Sequence, residues 1–192
     1  DVYKRQASRV NYVARFGNFV NHGFKYTGVL RVFKVLLSYD YLWNNIRVKG
    51  GAYGCSAIFG KSGNSGFVSY RDPNMANTNK IYEGIIEYAK NFTANEREMT
   101  KSVIGAISEL DTPLTPAREG MKGLSAYYSK VRYEDMVQER EEVLNTCEED
   151  IRALVPLLES VLSDKLICAI GNEDMIEKDR ELFKEVKHLY KD

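Results

Sequence analysis

Histidine and cysteine are scarce in this chain, and where they stand excludes more than their number does. The 192 residues hold two histidines, His22 and His188, near opposite ends, and three cysteines, Cys55, Cys147 and Cys168, far apart. No CxxC pair, HExxH or HxxEH occurs. A disulfide framework needs an even, closely spaced set of cysteines and a zinc module needs clustered ligands, so neither is present. A reducing compartment fits this cysteine usage best. Excess charge of either sign is also missing: Lys+Arg and Asp+Glu both number 27, for a formal net charge of zero. Nucleic-acid binders carry a basic excess or stripe, so no nucleic-acid partner is expected. No apolar run reaches the roughly 18 to 20 residues that span a bilayer, and no membrane partner is expected. The opening DVYKRQ has no apolar core behind its basic residues and is not a signal peptide. The serines lack a histidine and an acid in any recognisable nucleophilic context.

What remains is an ordinary globular composition, 44% hydrophobic and 28% charged. The length suits one domain with a real core. DVYKRQ fits nothing that follows and reads as a non-native lead. Residues 1–7 are therefore left unassigned, and residues 8–192 are read as a single C-terminal domain of something longer.

Along the chain, Ser8 to Phe16 is rich in Val, Tyr and Phe and reads as a strand. A polar loop, Gly17 to Gly28, carries His22 as a solvated side chain. Val29 to Ile46 reads as a helix that is apolar nearly all round, and such a helix belongs inside a larger structure, with one flank against another domain. Gly50-Gly51 ends it. Ala52 to Phe59 and Phe67 to Arg71 then read as a hairpin around a Gly60 to Gly66 turn. Gly60-Lys61-Ser62 lacks the earlier glycine of a phosphate loop, because Cys55 stands there. Cys55 on a strand reads as a small core residue.

Asp72-Pro73-Asn74 turns into a helix from Met75 to Phe92. Thr93 with Glu96 reads as a capping box for a helix to Leu110. Thr115-Pro116 starts another, to about Val131. Arg132 to Asn145 reads as helical, with Glu139-Arg140-Glu141-Glu142 as a solvated face. Thr146 with Glu149 caps the next helix, in which Pro156 should kink or offset the axis. Leu166 to Ile170 reads as a short buried strand and the tail from Glu173 as a polar helix. Strands separated by runs of helices make an α+β layer fold, a mainly antiparallel sheet with helices on one face.

The stretch from Asn44 to Asn74 organises the rest. In Arg47-Val48-Lys49-Gly50-Gly51-Ala52-Tyr53, an arginine at a helix end, two glycines and a tyrosine opening a strand place a cation and a phenol near one point. Both donate hydrogen bonds, and such a pair could hold a carbonyl oxygen as it gains negative charge. The glycines let backbone approach a substrate closely. The plainer alternative is an arginine complementing its own helix dipole and a tyrosine packed in the sheet.

SYDYLWNNIRVKGGAYG (Ser38 to Gly54) followed by SYRDPN (Ser69 to Asn74) resembles the C-terminal half of the presequence-protease branch of the pitrilysin/insulinase metallopeptidases. IGAISELD (Ile104 to Asp111) and REEVLNTCEEDIRAL (Arg140 to Leu154) add to the resemblance, which spans roughly Ser8 to Gly171. It implies an α/β-roll domain of the pitrilysin kind, the fourth of a clamshell whose two halves close on a chamber. Zinc, held by an inverted HxxEH motif and a downstream Glu, would sit in an N-terminal half absent here. By motif match, Arg47 and Tyr53 would bind substrate and stabilise the scissile carbonyl, with Gly50 and Gly51 beside them. Their spacing suits the presequence-protease branch; the insulin-degrading branch spaces them one residue wider.

With no HxxEH of its own, the chain should bind no zinc and should not cleave peptides alone. The first reading is thus the last domain of a zinc endopeptidase degrading short, unfolded peptides, its partner being the N-terminal half of the same peptidase. A scaffold half or partner subunit without catalytic part is the second. A bacterial cytoplasm is read ahead of an organelle matrix.

Overall fold

Alternation along the first strand decides which way the sheet faces. In β1 (Asn11–Asn18), Asn11, Val13, Arg15 and Gly17 are buried while Tyr12 is exposed. The computed structural model describes residues 10–187. DVYKRQ, the first two residues of the expected first strand (Ser8 and Arg9) and His188 lie outside them.

β1 pairs with β3 (Asn64–Asp72) on one side and β4 (Leu166–Ile170) on the other, and β2 (Gly54–Phe59) closes the order β2-β3-β1-β4, every pair antiparallel. The hairpin turn is tighter than the glycines imply. Only residues 60–63 form it, with Gly63 at φ +89°, and β3 already begins at Asn64. Gly66 lies within β3, where a Cβ would stand 2.6 Å from the Phe16 ring, so its place there reflects close packing and not a turn.

Helices cover one face. α1 (Val29–Leu36) packs against β2, α2 (Met75–Glu83) against β1 and β3, and α8 (Val155–Ser163) against β1. A second layer of α4 (Glu96–Leu110), α6 (Tyr133–Leu144) and α7 (Glu148–Ala153) lies on the far side of α1. The apolar circumference of α1 is therefore enclosed by its own chain, and Leu30, Val32 and Phe33 are fully buried. Farther along the expected Val29 to Ile46 helix, Tyr39 and Trp43 remain exposed. Beyond Leu36 the helical backbone widens into two π-helical segments, Leu37–Tyr41 and Trp43–Val48.

Other boundaries shift for local reasons. The helix expected from Met75 to Phe92 breaks at Gly84 into α2 and α3 (Ile85–Lys90). There the Tyr41 hydroxyl donates to the Ile81 carbonyl at 2.9 Å, and a Cβ on Gly84 would stand 2.5 Å from that hydroxyl. α4 is capped by Asn95 and Glu98 rather than Thr93 and Glu96. Glu148 accepts from the Ala94 N–H at 2.6 Å and Arg152 donates to the Phe92 carbonyl at 2.6 Å, which keeps the preceding stretch out of the helix. α7 is capped by Cys147 with Asp150, because the Thr146 hydroxyl donates back to the Glu142 carbonyl of α6. The axis breaks at Leu154, with Pro156 in the first turn of α8, where its missing N–H costs no helical bond. α5 (Pro116–Tyr128) is capped by Thr115 as expected, ends short of Val131, and has no buried residue.

Two expectations are corrected by burial. Only part of the Glu139–Glu142 run is a solvated face: Arg140 and Glu141 are exposed, but Glu139 is buried, accepting from Arg31 and Lys61 at 2.5 Å each and from Tyr26 at 3.1 Å. Glu142 accepts from the Gly28 N–H at 2.6 Å and the Thr27 hydroxyl at 2.9 Å. β4 is an edge strand with Leu166 and Ile170 about half exposed, not a buried one. His22 is exposed as expected, and its Nε2 lies 2.8 Å from the Asp164 carboxylate, beyond the far end of β1. After β4 the tail forms α9 (Glu173–Lys178) and a single 3₁₀ turn, Arg180–Leu182.

Candidate functional site

Backbone bonds pin the junction between the last π-helical turn and β2. The Gly51 N–H donates to the Arg47 carbonyl at 3.0 Å and the Ala52 N–H to the Ile46 carbonyl at 3.1 Å. Gly51 stands at φ +79°, where side chains are strained, and a Cβ on Gly50 would lie 2.5 Å from the Ile46 oxygen. Both glycines are thus demanded by the turn itself. The Tyr53 N–H then donates to the Tyr70 carbonyl at 3.0 Å, which starts the ladder into β2.

A second turn locks onto the first. Buried Asp72 accepts from the Ser69 hydroxyl at 2.6 Å, the Thr78 hydroxyl at 2.6 Å and the Asn74 N–H at 2.7 Å. Asn74 in turn donates from its amide to the Gly50 carbonyl at 2.8 Å. The glycine pair and the Asp72-Pro73-Asn74 turn, distant in sequence, are one structural unit.

On this frame the Arg47 guanidinium stacks 4.0 Å from the centre of the Trp43 ring and 5.8 Å from that of Tyr53. Tyr53 is 63% exposed and meets Tyr70 edge-on at 5.5 Å, and Tyr70 meets Tyr12 at 5.1 Å. Arg71 lies 5.9 Å from the Tyr53 ring and 5.5 Å from the Tyr70 ring. The tyrosines lead onto the sheet face that the helices leave bare, a shallow apolar basin of about 390 Å³ lined by residues such as Ala14, Ser56, Val68 and Ile170. The structure therefore brings Arg47, Gly50, Gly51 and Tyr53 together at one exposed rim. His22 is not among them.

Cys55 is no rival nucleophile. Burial pushes its thiol up to about 11, Arg47 opposing and Asp72 adding to the shift, so it stays protonated near neutrality. Trp43, Tyr70 and Arg71 were not singled out from sequence, although SYRDPN contains two of them. Simple strand alternation assigns Tyr70 and Arg71 to opposite faces, which hides their partnership.

Among the described residues no three His, Cys, Asp or Glu side chains gather as a metal site. The residues present do not fit a zinc ion, and no metal chemistry is assigned to them.

A family model described as the PreP C-terminal domain matches residues 6–173. The chain belongs to that family. This PreP C-terminal domain is 42% identical over 182 residues to Protein HypA of Clostridium perfringens, covering 95% of this chain and 19% of that protein. It is 31% identical over 184 residues to presequence protease 1, chloroplastic/mitochondrial, of Arabidopsis thaliana, covering 94% of this chain and 17% of the relative. The chain thus spans about a fifth or less of the length of these curated relatives. Among solved structures, an inactive peptidase domain from Bordetella parapertussis superposes with a TM-score of 0.65 at 12% identity, covering 88% of this chain and 94% of that one. A protease from Helicobacter pylori gives 0.58 at 14% identity, covering 84% and 40%. At such identities the superpositions show the fold: the α+β peptidase-domain architecture read from the sequence.

Proposed function

We propose that this PreP C-terminal domain, residues 8–192 as one unit, is the substrate-clamping wall of a zinc endopeptidase that degrades short unfolded peptides. Arg47 and Tyr53 donate hydrogen bonds to the scissile carbonyl oxygen as negative charge develops on it. Gly50 and Gly51 let the peptide backbone come close. The observation that carries this reading is the Arg47 guanidinium, held against Trp43 at 4.0 Å, beside an exposed Tyr53 phenol at the rim of the bare sheet face. A donor fixed before reaction needs little reorganisation, and stacking on Trp43 fixes this one.

On this reading the zinc ligands belong to another part of the parent protein, because no ligand cluster forms among the described residues here. The relatives' greater length supports a missing partner half, and the presequence-protease name of the Arabidopsis relative supports peptides as substrates. For the compartment we take a bacterial cytoplasm, on the strength of the Clostridium relative, with an organelle matrix as the alternative that the Arabidopsis name carries.

The test is turnover of an unfolded peptide by the full-length parent carrying Arg47→Ala or Tyr53→Phe. Each should lose roughly 100- to 1000-fold in kcat with unchanged thermal unfolding. Wild-type turnover in both variants would leave the chain as a scaffold half.

A further inference from the structure

β3 carries a bulge beside the site. Val13 of β1 faces Ser69 and Asn11 faces Asp72, so Tyr70 and Arg71 stand together opposite Tyr12. A bulge turns side chains that alternation would separate toward one side. Arg71 takes the left-handed backbone conformation this requires, at φ +50°, where glycine is the comfortable residue. The result is an exposed guanidinium within 6 Å of both the Tyr53 and Tyr70 rings.

The bulge by itself serves Asp72, which it turns inward to its three donors. That role asks nothing of the Arg71 side chain. Yet at this rim two guanidiniums, Arg47 and Arg71, flank one phenol, and among the described residues neither has an acid partner. Arg31, Arg140 and Arg152 each hold a carboxylate, and exposed Arg97 and Arg118, which do not, have no aromatic ring beside them among the described residues. Two arginines without counter-ions at an exposed rim form an anion site, and the anionic groups of an ordinary peptide are carboxylates. The planar guanidinium fork matches a carboxylate in two parallel hydrogen bonds.

We propose that Arg71 is a specificity-determining residue of this site, binding a carboxylate of the peptide whose carbonyl Arg47 and Tyr53 engage. The carboxylate is either the peptide's C-terminus or an Asp or Glu side chain. This rests on the reading that Arg47 and Tyr53 touch substrate. It adds ground-state binding and leaves the chemical step to them.

The experiment uses the full-length parent and three versions of one peptide: a free acid containing one Glu, its C-terminal amide, and its Glu→Gln analogue. Wild type should show a KM roughly tenfold higher for whichever version lacks the recognised carboxylate. Arg71→Gly, which relaxes the φ +50° backbone and so keeps the fold, should raise KM for the free acid by a similar factor and leave kcat unchanged. It should leave KM for the version without the recognised carboxylate where wild type has it. Arg71→Lys should recover part of the loss. The version that wild type already binds poorly identifies the source of the carboxylate. An Arg71→Gly enzyme whose KM is unchanged for all three peptides, or raised equally for all three, overturns the proposal. Its fate is separable from that of the catalytic reading, which falls on the kcat of Arg47→Ala and Tyr53→Phe and not on any KM ratio.

Discussion

Glu139 is a buried carboxylate with two cationic donors, and its charge matters for folding. Burial alone would raise its pKa, but the hydrogen bonds from Lys61 and Arg31 outweigh that and hold it below the ordinary value of 4.5. A depressed folded pKa means that its stabilisation is fully present above the unfolded value. It is lost as pH falls through the folded one. Glu139→Gln should therefore cost about 2–3 kcal/mol at pH 7, discounted for the partial exposure of Arg31 and Lys61. The deficit relative to wild type should shrink as pH drops below 4.5. Urea denaturation of the two proteins at pH 7 and in acid checks both the size and the sign. Asp72→Asn sets an amide among two hydroxyls and an N–H, and about 1–3 kcal/mol of stability should go with it, measured the same way. Arg47, Tyr53 and the glycine pair could be found in the sequence because helix end, turn and strand start lie within a few residues. Glu139 could not. Its partners stand 108 and 78 residues away, and nothing local distinguishes it from the acids beside it.

At the scale of elements, what a helix buries is decided by the layer above it. The pattern of α1 was legible as apolar all round, but the sequence does not say that α4, α6 and α7 return to cover it. Leu30→Ala, inside that sandwich, should lose about 2–5 kcal/mol, whereas Leu124→Ala on α5 should stay within about 0.5 kcal/mol. Thermal melts of the two variants compare them directly. The same logic explains the caps that moved: Thr93 and Thr146 look like caps locally, yet contacts from α7 and α6 settle where the helices begin. The Gly51 turn is different because its constraint is local. Gly51→Ala forces a side chain to φ +79° and should destabilise by about 1 kcal/mol, visible as a shift in the denaturation midpoint.

At the scale of the whole molecule, no cluster of candidate metal ligands forms among the described residues. Chelation with EDTA should leave the unfolding temperature of the 192-residue chain unchanged, while the parent peptidase should lose activity under the same treatment. A fall in the isolated chain's melting temperature would show a ligand set that the fold does not display. The sheet and its helical cover were foreseeable from element order. That β4 lies at an edge was not, since LICAI has the composition of an interior strand, and only the pairing order puts it outermost, at the opposite edge from β2.

The bare sheet face also has a colloidal meaning. Tyr12, Ile58, Tyr70, Leu166 and Ile170 stand exposed on a chain whose formal net charge near neutrality is zero. Long-range repulsion is then too weak to keep two such faces apart. Purified by itself, the chain should scatter more light as its concentration rises at pH 7 and low salt, and less when the pH is moved to either side. The buffer that suits the isolated chain is thus set less by its core than by a sheet face that the described helices leave uncovered.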